Sequence, residues 1–401
     1  MLGNSVSGFA IGLVVLDYTN STFLYALFMV MYMVPKIIVP LFAGPYLDRF
    51  SRRKTIYNLD FLSAIIYLGV FFFIYKGYFH YGILLAVTIL IGTIDSVYGV
   101  AYESFYPNLI SEGNYSKAYS ISSMIYPLAS FMVPVASIVY NMMGTTAYLF
   151  LFNAVSFFIA ACFEMMIKHD EEHLEKTIEI KENEKTNFQI YREDFKEGLK
   201  YIFLEKGLLV ITIYFCIASM AGSASGTVLL PFFKNNEHLF ANSILDVVTL
   251  YTIVTGMGVV GRLIGGVIHY KYKYPTEKKF LIALFVYGSI NVLEAVQLYL
   301  PIPVMMVSFF IIGIMGVTSF NIRISSTQSY VPDEKRGRFN GIFQMICAAG
   351  TIVGQLLAGA MAEFMPERIV IVIFMIINMF AVVFVMRKGK EHVKKIYNRN
   401  V

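Results

Sequence analysis

The sequence predicts an all-α protein that crosses a bilayer many times, arranged as two six-helix bundles in parallel pseudo-repeat. Three observations carry that prediction. Of 401 residues, 57% are hydrophobic and only 15% charged, where a soluble domain carries about 25% charged; mean hydropathy is +0.64. Apolar stretches of about 20 residues, the length at which a helix crosses the hydrocarbon core, recur along the whole chain. The Lys and Arg residues gather in alternate breaks between those stretches, as positive-inside loops do. A soluble enzyme, a nucleic-acid binder and a secreted scaffold are excluded, because no aqueous fold of this size hides so much apolar surface.

Turn and charge breaks delimit eleven full-length spans, near 21–46, 54–75, 80–106, 115–141, 144–167, 207–233, 243–270, 279–300, 302–327, 338–364 and 366–386. A twelfth, Met1–Leu16, precedes them and is too short for about 30 Å of hydrocarbon. Its basic flank is missing too, since the first cation is Lys36. Either the first helix is abbreviated or the true start lies upstream of Met1; the second is preferred, because half a helix leaves its neighbours unpacked. Twenty-six of the 32 Lys and Arg residues fall in one set of breaks and three (Lys76, Lys234, Arg368) in the other. The remaining three, Lys36, Arg262 and Arg323, lie inside spans. That asymmetry places both termini in the cytoplasm of a multi-pass cell-membrane protein.

Four segments follow: a first bundle over 1–167, a cytoplasmic linker over 168–206, a second bundle over 207–388 and a basic cytoplasmic tail over 389–401. The linker opens charge-dense and then turns amphipathic, with Phe188, Tyr191, Phe195, Leu199 and Ile202 on one helical face. Such a helix lies on the cytoplasmic membrane face or packs on the protein's own loops; the sequence leaves both open. Sliding the second bundle on the first gives a constant offset of 221 residues, which pairs Gly44 with Gly265, Gly92 with Gly313 and Lys117 with Arg338. Two loops agreeing on one offset indicate an internal repeat.

Between the second and third spans stands Gly44-Pro45-Tyr46-Leu47-Asp48-Arg49-Phe50-Ser51-Arg52-Arg53-Lys54. Gly44 permits close helix approach, Asp48 suits a helix N-terminus, and Arg49, Arg52 and Arg53 can pair with helix-end carboxylates or anionic lipid headgroups. The run resembles the loop signature of the major facilitator superfamily, G-x-x-x-D-R-x-x-R-R/K, with Ser51 where glycine is common. The segment Ser326–Arg338, together with Leu13–Ser21 and Glu197-Gly198-Leu199, is similar to that superfamily's macrolide-efflux-like and enterobactin-exporter-like branch. The Gly-Pro-rich fifth-span motif of drug–proton antiporters is missing from Ser120–Tyr140. The resemblance implies two six-helix bundles, alternating access, and a conformational gate at Gly44, Asp48, Arg49, Arg52 and Arg53.

Ionisable groups at bilayer depth are costly and mark functional or paired sites. Asp95 lies roughly 22 Å in from Phe79 at 1.5 Å per residue, with Glu103, Tyr98 and Tyr102 near the same face. A desolvated carboxyl exchanges a proton near neutral pH, so Asp95 and Glu103 are candidates for coupling or substrate binding. A carboxylate held by a neighbouring helix is the alternative. Lys36, also near mid-depth, is either Asp95's partner or a contact for an anionic substrate group. Glu294 is expected to serve structure, Arg262 and Arg323 to snorkel from span ends, and Asp17 and Glu164 to be terminal. Gly350, Gly354 and Gly359 suit close helix packing. Cys162, Cys216 and Cys347 stand at no motif spacing. No HExxH pair and no Walker loop occur, so neither a metal, a cofactor nor direct ATP chemistry is expected, and the chain is read as no enzyme. The expected function is secondary active transport, with proton-driven efflux of a hydrophobic or amphipathic small molecule ahead of uptake, siderophore or lipid movement. A receptor is a poorer fit, the loops leaving no room for a folded appendage.

Overall fold

The computed structural model describes residues 2–40, 50–109, 129, 132–167, 187–240, 245–271 and 274–399, and every regular element among them is helical. Nine of these helices are long and apolar enough to cross a bilayer. The chain is therefore an all-α, multi-pass membrane protein. It divides into two units, Met1–Tyr191 and Arg192–Val401.

In the first unit α1 spans Leu2–Thr19 and ends where Thr19 Oγ1 donates to the Val15 carbonyl at 2.6 Å. Asn20 follows with φ of 50°, left-handed backbone that Asn tolerates better than most residues. This corrects the first-helix expectation, which stopped at Leu16. Asp17, Tyr18 and Thr19 stay helical, and 18 residues reach about 27 Å. α2 (Thr22–Ile38) and α3 (Arg52–Tyr75) each begin under a serine: Ser21 Oγ accepts from Leu24 N and Ser51 Oγ from Lys54 N, both at 3.1 Å. Ser51 is thus a helix cap, worth about 1 kcal/mol over alanine. α4 (Tyr81–Phe105), α5 (Met132–Met143) and α6 (Ala147–Met165) complete the unit. α3 lies along α6, with Tyr67 stacked on Phe150 and Phe157. α1 joins them through Asn153 Nδ2, which donates to Ser7 Oγ at 2.8 Å. α2 lies so close to α4 that a Cβ on Gly92 would stand 2.5 Å from the Tyr32 carbonyl oxygen; only glycine fits there.

The second unit is entered through α7 (Asn187–Leu204). Gly198 of α7 packs under Ile342, Ile202 is buried, and Arg338 Nη1 meets Glu197 Oε2 at 2.7 Å. Phe195, Phe203 and Leu204 face outward. One face of the helix thus docks on the protein, as the second of the two readings expected, and another presents apolar surface. Phe188 and Tyr191 have side chains outside the described set.

α8 (Lys206–Asn235), α9 (Val247–Lys271), α10 (Lys279–Val296), α11 (Ile302–Tyr330) and α12 (Asp333–Ala362) follow. α13 (Glu367–Phe380) continues as π-helical turns over Ala381–Arg387. α9 and α11 close as α2 and α4 do: a Cβ on Gly313, 221 residues after Gly92, would meet the Gly258 carbonyl oxygen at 2.2 Å. α8 and α12 close at Gly350 and Gly354, whose added Cβ atoms would stand 2.3 and 2.1 Å from the Cys216 and Met220 carbonyl oxygens.

The expected tail over 389–401 is instead a docked helix, α14 (Lys390–Tyr397). Val393, Ile396 and Tyr397 share one face and are buried, while the cations occupy the other. Tyr397 Oη meets Tyr287 Oη at 3.0 Å, and Asn398 Oδ1 accepts from Phe280 N at 3.0 Å. Burial beside Tyr287 pushes the Tyr397 hydroxyl well above the usual tyrosine range.

Candidate functional site

The α2–α4 contact brings the expected pair together. Tyr32 and Lys36 are four residues apart and so share a face of α2. Gly92, one turn before Asp95, lets α4 approach that face. Lys36 Nζ donates to Tyr32 Oη at 2.9 Å and lies 4.1 Å from the Tyr32 ring centroid. Tyr32 Oη in turn donates to Asp95 Oδ2, and Lys36 Nζ reaches the same oxygen at 3.5 Å. The Asp95 side chain is 14% exposed and that of Lys36 40%. The carboxylate is thus sheltered by a phenol and a half-exposed cation. Glu103 is exposed and outside this cluster.

A second acidic cluster lies deeper in the same unit. Asp60 of α3 is only 4% exposed and was not singled out from the sequence. It lies near enough to Glu164 of α6 for the two carboxyls to interact electrostatically, and Tyr98 Oη of α4 donates to Glu164 Oε1 at 3.0 Å. Glu164 is therefore no mere terminal residue: it sits near the end of α6, but its carboxyl turns inward. Tyr98 stacks on Tyr102, and Tyr102 on Tyr106.

Of the loop signature, Gly44, Asp48 and Arg49 lie outside the described residues. Arg52 and Arg53 form the first turn of α3. Arg53 Nη1 donates to the Ile167 carbonyl at 2.6 Å, a cation on an orphan acceptor at the end of α6, where the helix dipole favours it.

In the second unit, Arg323 overturns the snorkelling expectation. Its guanidinium lies 4.8 Å from the Phe343 ring, 5.1 Å from Phe215 and 5.4 Å from Phe320. A delocalised, weakly hydrated cation is held by aromatic faces from three helices. Glu294 of α10 lies near Ser225 and Arg262. His269 Nε2 meets Thr318 Oγ1 at 2.9 Å and Tyr274 Oη at 3.1 Å. No group of three metal-ligating side chains occurs among the described residues.

Comparison with known proteins places these features in context. A family model described as Major Facilitator Superfamily matches residues 1–298 and 280–399. An uncharacterized MFS-type transporter of Bacillus subtilis (strain 168), YkuC, is 26% identical over 300 residues, covering 73% of this chain and 68% of its own. Among solved structures, the nucleoside transporter NupG superposes with a TM-score of 0.69 at 15% identity, over 97% of this chain and 96% of that one. The peptide transporter POT gives 0.69 at 13% identity, over 98% and 93% of the two chains. A bacterial homologue of the iron transporter ferroportin gives 0.66 at 13%, over 98% and 95%. At such identities these structures establish the fold alone.

Proposed function

Because the chain belongs to the major facilitator superfamily, we propose that it is a secondary active transporter that exports a hydrophobic or amphipathic small molecule by alternating access, driven by inward proton flow. The observation that carries this reading is the Lys36–Tyr32–Asp95 cluster. Charged Asp95 holds Lys36 and the Tyr32 hydroxyl. A proton arriving on Asp95 cancels that attraction, so the two states differ in the α2–α4 contact, and proton and substrate bias one equilibrium. Arg323 among Phe215, Phe320 and Phe343 supports an amphipathic substrate, since the same rings and cation suit an apolar body carrying a negative or polar group. Resemblance of Ser326–Arg338 to the macrolide-efflux-like branch supports export across the cell membrane, with both termini cytoplasmic. The Gly44–Arg53 loop acts as the conformational gate, Arg53 releasing or regripping the end of α6. No resident cofactor is involved; the proton is the coupling ion, and lipid headgroups meet the basic loops.

The test is uptake of a fluorescent amphipathic dye into everted membrane vesicles under an imposed pH gradient. Uptake should require the protein, collapse with a protonophore and disappear in Asp95→Asn, while dye counterflow persists. Dye movement unaffected by the gradient would remove the proton, and no dye movement in either direction would remove the substrate class.

A further inference from the structure

Arg323 stands in the second unit with its charge answered and its hydrogen-bonding capacity unused. A guanidinium carries five N–H donors in a planar fork. Faces of Phe215, Phe320 and Phe343 attract the charge, but a ring offers those donors no lone pair. Among the described residues no carboxylate, carbonyl or hydroxyl accepts from Arg323, and none of its nitrogens is sealed from the surface. Glu205, the carboxylate that reaches the end of α11, accepts instead from Tyr330 Oη at 2.8 Å. The rings around the cation have a closed floor and an open side. Phe343 of α12 is buried, and Phe215 of α8 packs against it at 6.0 Å and against Tyr287 at 5.8 Å. Phe320 of α11 is 52% exposed and forms the open side. Gly316 stands two turns before Arg323 on the same face of α11, and a Cβ added there meets nothing within 4 Å. An apolar body can therefore lie along α11 past Phe320 while its head meets the guanidinium.

We infer that the transported molecule is an organic anion, a carboxylate or similar oxyanion head on an aromatic or aliphatic body, and that its head pairs with Arg323. The inference rests on the export of an amphipathic molecule proposed above and narrows it to one sign of charge. A planar oxyanion matches the guanidinium fork with two parallel charge-assisted bonds. A neutral head forfeits the ionic part of that pairing. A cationic head sets like charge against Arg323 and finds the ring faces already taken by it. The rings keep a second role: they hold the fork in place while no anion is bound, so little side-chain freedom is lost when one arrives.

Three probes that share one pyrene body test this on the purified full chain in zwitterionic nanodiscs, with empty discs as the blank. They are pyrenebutyrate, its neutral amide and a pyrenebutyl trimethylammonium salt, and binding is read from pyrene emission. The carboxylate should bind at least about tenfold more tightly than the other two. Arg323→Gln should abolish that preference and leave amide binding unchanged, and Arg323→Lys should keep part of it. Equal binding of the three by wild type, or a carboxylate preference unchanged in Arg323→Gln, overturns the anion and leaves an amphipathic substrate standing. Binding of none of the three overturns the amphipathic substrate itself, and the anion with it. Should Arg323→Gln not fold, Arg323→Lys decides: a reduced carboxylate preference supports the pairing, and an unchanged one overturns it.

Discussion

Gly313 and Gly316 stand one turn apart on α11, and the same substitution at the two positions should act in opposite directions. A Cβ at Gly313 would lie 2.2 Å from the Gly258 carbonyl oxygen and 2.9 Å from Arg262 N. Both atoms are backbone and cannot swing aside. An ordinary contact needs about 3.4 Å or more, so α11 must retreat from α9 by roughly 1 Å. Gly261, whose own added Cβ would be 2.1 Å from the Phe310 carbonyl oxygen, makes the retreat costly, because it loosens a contact already closed at a second glycine. Overpacking of this kind costs about 1–3 kcal/mol. The upper end applies to a rigid neighbour, offset by about 1 kcal/mol from the better helix propensity of alanine. Gly313→Ala should thus destabilise by about 2 kcal/mol. At Gly316 an added Cβ meets nothing within 4 Å, and Gly316→Ala should stabilise by up to about 1 kcal/mol. The gap between the two, about 3 kcal/mol, corresponds to about 6–12 °C in apparent Tm for a unit of this size. The chain has no tryptophan, so the natural assay is thermal unmasking of half-buried Cys216 and Cys347 to a thiol-reactive dye, in a Cys162→Ser background. If Gly313→Ala melts at or above Gly316→Ala, the close α9–α11 contact is wrong.

Four further outcomes are expected. Asp95→Asn should abolish gradient-driven transport and spare counterflow, whereas Glu103→Gln, at an exposed position, should alter at most the pH profile; the reverse pattern in vesicle assays would exchange their roles. Arg53→Ala should cost about 1.5–3 kcal/mol by removing a charge-assisted bond to the Ile167 carbonyl, lowering Tm, with Arg53→Lys in between; equal melting of all three would leave that bond without weight. Tyr397→Ala should destabilise by about 3–5 kcal/mol as a fully buried aromatic, but Tyr397→Phe by only about 1 kcal/mol, read by the same dye assay. Reporter fusions should place Arg387 inside the cell and Lys76 and Lys234 outside, and an inside signal at Lys234 would undo the orientation.

The bilayer dictates much of what was legible beforehand. Span-length apolar runs, the close approach at Gly350 and Gly354 and the meeting of Lys36 with Asp95 all follow from constraints written locally in the sequence. Asp60 was missed for a physical reason. It stands two turns inside α3, close to Arg52, Arg53 and Lys54, where a carboxylate passes for part of a polar helix end. The available signal was periodicity. Ile56, Asp60, Ser63, Ala64, Tyr67, Val70 and Ile74 form one buried stripe, and an acid on that stripe has to find a partner. Arg323 was misread similarly, because depth along a helix says nothing of which rings from other helices surround a side chain. The α14 helix was hidden by its charge: four cations, Lys388, Lys390, Lys394 and Lys395, mask the short buried face of Val393, Ile396 and Tyr397. Gly44, Asp48 and Arg49 lie outside the described residues, so the signature is observed only through Arg52 and Arg53.

The seating of α14 also has a bearing on how the chain is made. Tyr287 and Tyr397 are 110 residues apart, so at about 5–20 residues per second the ribosome delivers the second hydroxyl roughly 5–20 s after the first. During that interval α10 is completed and α11, α12 and α13 are synthesised, while the Tyr287 hydroxyl, the Phe280 amide and the apolar surface that receives Val393 and Ile396 await their partners. The second unit therefore closes only after its last helix has left the ribosome, and a nascent chain stalled before Lys390 presents an unfinished seam to insertion chaperones and membrane proteases.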